Sequence, residues 1–168
     1  MKKSLIVIIM SMVLAVSPLF INAVSVSAEE YAALQGLKSV KAVFDVRAGS
    51  FNSAAAQLGM IHKIYKDSSV RKVTGNPEFV LVFIGPSVRL VSTATEGLSA
   101  EEKATAAKLA GTIKEMAKDG IKLEICMAAV EAFGVAPASL LPEIKHVQNG
   151  WISLIGYQAK DYSLVPIY

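Results

Sequence analysis

Cys126 is the only cysteine in the chain, and its position makes it the first residue to weigh for chemistry. It closes the apolar run Ile121-Lys-Leu-Glu-Ile-Cys126, and Met127-Ala-Ala-Val-Glu-Ala-Phe-Gly134 follows at once with helix-like composition. In an open α/β sheet such a strand-to-helix junction lies where strand carboxyl ends line the ligand crevice, and N–H groups at a helix start favour a thiolate. The competing reading is inert. Free cysteine is among the most buried residue types, and Ile125, Met127, Ala128 and Ala129 are fit neighbours for a core residue. Local charge does not help ionisation: no Lys, Arg or His lies within three residues of Cys126, and Glu124 opposes a thiolate if the fold brings it close.

His146 falls near the end of a short strand, where it can share the crevice with Cys126 as a base or charge partner; the competing assignment is a surface histidine. His62 follows Leu58 by four residues on a helix and reads as a partly buried structural residue. Two histidines and one cysteine supply no CxxC or HxxxH pair, so neither a metal nor another cofactor is expected. The loop Arg47-Ala-Gly-Ser-Phe-Asn-Ser53 joins a strand to a helix start and can hold an anion through Arg47 and backbone N–H groups. An ordinary polar turn is the commoner outcome, because no phosphate or dinucleotide fingerprint is present. Asp45 and Arg47 read as a solvated strand edge, and Trp151, Tyr157 and Phe133 as core or oligomer contacts.

Residues 1–28 have the form of a secretory leader. Lys2 and Lys3 precede an apolar run from Leu5 to Leu14, and Val26-Ser-Ala28 fits small-residue cleavage, with Glu29 as the expected new terminus. Ser17, Pro18 and Asn22 interrupt the stretch short of the roughly 18 to 20 apolar residues a span prefers. The expectation is therefore a periplasmic or secreted protein with no stable membrane span after cleavage. With the leader's Lys2 and Lys3 set aside, the 17 basic side chains fall to 15 against 14 acidic ones, nearly balanced and interspersed, which gives no footprint for nucleic acid. In an exported chain a single cysteine cannot pair internally, so it is buried, paired between chains, or a working thiol. The lack of a second, resolving cysteine also weighs against a thiol peroxidase or disulfide oxidoreductase.

Five short apolar strands alternate with helix-length segments, the pattern of βαβ units and a parallel sheet. They are Lys41 to Val46, Phe79 to Ile84, Ile121 to Cys126, Ile144 to Val147, and Tyr162 to Val165, where Pro166 limits further pairing. Helices are expected over about 52–66, with Leu58, Ile61 and Tyr65 inward, and from the capping box Ser99-Ala-Glu-Glu102 to about Lys118. A third follows Cys126 up to Gly134, and a fourth runs from the cap Asn149 to about Lys160. The connection containing Val88, Leu90 and Val91 is longer and more apolar than a βα loop needs, which points to an interface. Residues 29–40 read as an arm, and 41–168 as one domain.

The segment Gly120-Ile-Lys-Leu-Glu-Ile-Cys-Met-Ala-Ala-Val-Glu-Ala-Phe-Gly-Val135 resembles the cysteine segment of the DsrE/DsrF-like sulfur-relay family. Val147-Gln-Asn-Gly-Trp151, Gln158 and Tyr162-Ser-Leu-Val-Pro166 are similar to its last helix and strand, and Phe83-Ile-Gly85 to the end of its second strand. The resemblance covers roughly residues 41–168. It implies a three-layer α/β/α domain with a five-stranded, mainly parallel, flavodoxin-like sheet. It further implies a sulfurtransferase-like carrier in which Cys126 holds sulfane sulfur as a persulfide between a sulfur donor and an acceptor protein, and a homo-oligomer, trimeric or hexameric; the leader, which departs from the cytoplasmic members of that family, makes this an exported one. The alternative is a non-catalytic oligomeric binding or assembly module with a structural cysteine.

Overall fold

The alternation of apolar strands with amphipathic helices resolves, in a computed structural model describing residues 31–168, into one sheet of five strands, all parallel. The strands are β1 (Lys41–Val46), β2 (Glu78–Phe83), β3 (Lys122–Cys126), β4 (Lys145–Val147) and β5 (Ser163–Ile167), in the spatial order β4-β3-β2-β1-β5. The helices are α1 (Phe51–Lys66), α2 (Ser68–Val73), α3 (Ala100–Lys118), α4 (Met127–Ala132) and α5 (Gly150–Gln158).

Right-handed crossovers fix which face each helix covers. From β1 to β4 the chain steps in one direction, so α1 and α3 lie on one face and pack against each other; from β4 it returns past β1 to β5, so α5 lies on the other, across β1, β2 and β3. The first face is a dense apolar layer. Ser50 caps α1, and Leu58, Ile61 and Tyr65 turn inward. The Ser99–Glu102 capping box starts α3, and Leu109, Ile113 and Met116 face the sheet. Helix α2, too short to show a period, starts at the Asp67 cap.

Two expectations are corrected. Val88, Leu90 and Val91 do not form an exposed interface: they are buried in a 3-10 helix, Gly85–Val91, that folds back onto the core. Ser87 anchors it by donating its hydroxyl to the Val46 carbonyl at 2.7 Å. The last strand also runs through Pro166, which sits opposite Asp45; β5 pairs on one side only, and a sheet edge tolerates the missing N–H. Of the arm, residues 31–40 contain a 3-10 turn at Ala32–Leu34. The leader, residues 1–28, lies outside the described residues. Among the described residues no helix is long and apolar enough to cross a membrane.

Candidate functional site

Three neighbouring strands end at one cleft. The parallel ladder sets Asp45, Val82 and Glu124 in a row, and two residues further on, on the same face, come Arg47, Ile84 and Cys126. Arg47, Ile84, Gly85 and Cys126 line an open cavity of about 310 Å³ together with Ala129, Phe133, Asn149 and Trp151. Gly85 makes the turn out of β2 with φ of 63°, a conformation that favours glycine.

Cys126 is 5% exposed and is a free thiol in the wall of this cavity. It is also the N-cap residue of α4, but its side chain makes no capping hydrogen bond. The support expected from α4 is thin. That helix has only six residues, and the Ala128 N–H already donates to the Gln148 carbonyl at 3.2 Å. A second helix start is closer than the sequence suggests. A Cβ built on Gly150 would meet two Ile84 side-chain atoms at 2.8 and 2.9 Å and the Cys126 Cβ at 3.0 Å, so the lack of a side chain lets α5 settle on the thiol's own carbon. Asn149 fixes that end by accepting from the Trp151 N–H at 3.0 Å.

The charge missing from the sequence around Cys126 is supplied by the fold. Arg47, at the end of β1, shares the cavity with the thiol. Its Nε donates to both oxygens of Asp45, at 3.0 and 2.9 Å, and Asp45 is 8% exposed. The pair is therefore a buried carboxylate holding a half-buried guanidinium, not the solvated edge expected. Glu124 shares the face of Cys126 and is itself buried. Its Oε1 accepts from the Tyr157 hydroxyl at 2.9 Å, and its Oε2 has no partner among the described residues. Burial and this carboxylate push the Tyr157 hydroxyl well above its ordinary range.

His146 is placed away from the thiol. It pairs with Ile125 in the β3–β4 ladder while Cys126 pairs with Val147, so strand alternation turns it to the opposite face, where it is exposed. His62 is half-buried, with Nε2 2.6 Å from an Asp119 oxygen, in the structural role expected of it. Trp151 is not a core residue: it is 59% exposed beside the cavity mouth, with Ile152 and Ile155 exposed on the same helix. Among the described residues no cluster of three or more potential metal ligands occurs.

In the sequence Arg47 is a candidate for anion binding and Cys126 for sulfur chemistry, and nothing local joins the two. Parity along adjacent parallel strands is the signal that connects them, and it needs the strand order. Gly150 carried no local signal, because its constraint comes from the packing of α5.

The DsrE/DsrF-like family model matches residues 41–167. A protein of unknown function from Methanobacterium thermoautotrophicum, MTH1491, is similar in structure with a TM-score of 0.59 and 13% sequence identity, over 76% of this chain and 99% of that one. The ychN protein from E. coli is similar with a TM-score of 0.50 and 10% identity, over 76% of this chain and 98% of its own. At these identities the two likenesses speak to the fold. No curated protein matches the sequence. With the five-stranded parallel sheet and a family match over nearly all of the described domain, the chain belongs to the DsrE/DsrF-like family, which suggests a protein of the sulfur-relay type.

Proposed function

We propose that this protein is a sulfur carrier that holds sulfane sulfur as a persulfide on Cys126 and passes it to a partner protein outside the cytoplasm. The observation that carries this reading is the thiol's place in a cavity wall at the carboxyl end of the sheet, in a chain of the DsrE/DsrF-like family. In the loading step the Cys126 thiolate attacks the terminal sulfur of a hydropersulfide R–S–SH. The donor S–S bond breaks, R–S⁻ leaves with the electron pair, and Cys126–S–SH forms with the proton on the transferred sulfur. An acceptor thiolate reverses the exchange, so no external oxidant or reductant is consumed. Export rests on the leader pattern of Lys2-Lys3, the apolar run and Val26-Ser-Ala28.

Cyanolysis tests the carrier. Protein loaded with polysulfide and desalted is expected to release thiocyanate on addition of cyanide, in proportion to protein, and Cys126→Ser is expected to release none. Equal release from Cys126→Ser would overturn the assignment.

A second reading is favoured by two observations: Cys126 is 5% exposed, and Trp151, Ile152 and Ile155 are 59%, 68% and 67% exposed. Here the cysteine is packing and the apolar side of α5 is an assembly surface. Native protein that resists thiol reagents until it is unfolded supports this reading.

A further inference from the structure

Arg47 and Asp45 form a pair whose construction exceeds what holding β1 requires. Asp45 is buried, with its side chain 11% exposed, and its carboxylate is spent on a single nitrogen, Nε, of one guanidinium. Among the described residues the η nitrogens of Arg47 make no hydrogen bond or ion pair, and Arg47 is one of the residues that line the cavity of Cys126. A buried carboxylate is costly unless its partner is well held, and a purely structural arginine commonly satisfies its whole fork. Here one edge is clamped and the other is left without a protein partner among the described residues.

The ladder explains the reach. Arg47 and Cys126 are separated by one strand, β2, whose extension Ile84 lies between them, so their backbones are about 10 Å apart. An arginine side chain extends over most of that span. Negative charge moves during loading from the Cys126 sulfur to the departing sulfur of the donor, inside a cavity with one free cationic edge and, on the same face, a buried carboxylate at Glu124.

We propose that Arg47 is a specificity-determining residue of the Cys126 cavity, selecting small donors that carry negative charge beside the transferable sulfur over neutral ones, with Asp45 as the positioning residue that aims it. This rests on the reading of Cys126 as a working thiol. The donor class is a low-molecular-weight anionic persulfide or polysulfide. In the exchange above, the Arg47 η nitrogens pair with the anionic group of R and with the charge that develops on R–S⁻ as the S–S bond breaks.

The test compares two alkylating reagents of similar size, anionic iodoacetate and neutral iodoacetamide, on the native protein. The rate ratio reports the charge that the reagent meets at the thiol and cancels differences in thiol ionisation. The ratio in the native protein is expected to exceed that of the same protein unfolded in urea by about twofold to threefold, the effect of a cationic edge across a solvent-filled cleft that Asp45 and Glu124 partly offset, and to fall with added salt. Arg47→Gln is expected to bring the ratio down to the unfolded value or below it, Arg47→Lys to keep most of it, and Asp45→Glu, which keeps the charge but shifts the clamp, to give an intermediate value. A folded Arg47→Gln variant with the wild-type ratio overturns the role of Arg47 and leaves the working thiol standing. If that variant does not fold, the wild-type comparison decides: a native ratio no higher than the unfolded one overturns the proposal. Failure of both reagents to modify native Cys126 overturns the proposal and the carrier reading together.

Discussion

Gly150 is where the site is most sensitive to a single atom. Its missing side chain lets the start of α5 rest on Ile84 and on the Cys126 Cβ, and a methyl group there meets carbon at 2.8 to 3.0 Å. Gly150→Ala is expected to lift the helix end and destabilise the protein by about 1–3 kcal/mol, as overpacking does, measured as a lower denaturant midpoint. Tyr157 presents the reverse case, since removing its hydroxyl leaves both Glu124 oxygens buried without a partner. Tyr157→Phe is expected to cost about 1–3 kcal/mol in the same measurement, whereas replacing an exposed tyrosine such as Tyr31 is expected to cost little. Tyr162 adds a pH dependence. Burial, and then its bond to Glu78 at 2.6 Å, raise its hydroxyl to about 12 from an ordinary 10. The fold favours the neutral form, so this stabilisation is complete below about pH 10 and fades as pH rises toward 12. Wild-type protein is expected to lose stability across that window more steeply than Tyr162→Phe in unfolding curves taken at increasing pH.

Among the elements, α5 carries the most consequence. It packs across β1, β2 and β3, and its inward side supplies Gly150 against Cys126 and Tyr157 against Glu124. Its outward side, with Trp151, Ile152 and Ile155, is an apolar surface in contact with solvent. This patch replaces the Val88 to Val91 connection as the basis for expecting self-association. Mature protein is expected to scatter light as an oligomer, and Ile152→Lys with Ile155→Lys to shift it toward the monomer; an unchanged mass in the double variant would place the interface elsewhere. Most elements were legible because their periods are long or pure. Phe79 to Phe83 is apolar throughout, and α3 repeats Leu109, Ile113 and Met116 on one side after a clear capping box. What was not legible lacked a local mark. Helix α2 has only six residues, and the burial of Val88 to Val91 depends on where the 3-10 helix folds back. Arg47 and Cys126 come to line one cavity through the order of β1, β2 and β3, which no pattern within either segment encodes.

For the whole molecule, one reversal of direction in the sheet organises the rest. Because the chain steps from β1 to β4 and then returns to β5, α1 and α3 pack on one face and α5 on the other, and the face under α5 holds Asp45, Arg47, Glu124 and Cys126. Family membership and fold suggest sulfur-relay chemistry, and this face is where the chain has the means for it. The most direct test is the intact mass of native protein after incubation with polysulfide and removal of the excess. The carrier account predicts one added sulfur atom per chain, removed by a thiol reductant and absent from Cys126→Ser. An unchanged mass in native protein, with addition only after unfolding, contradicts it and leaves Cys126 as a packing residue.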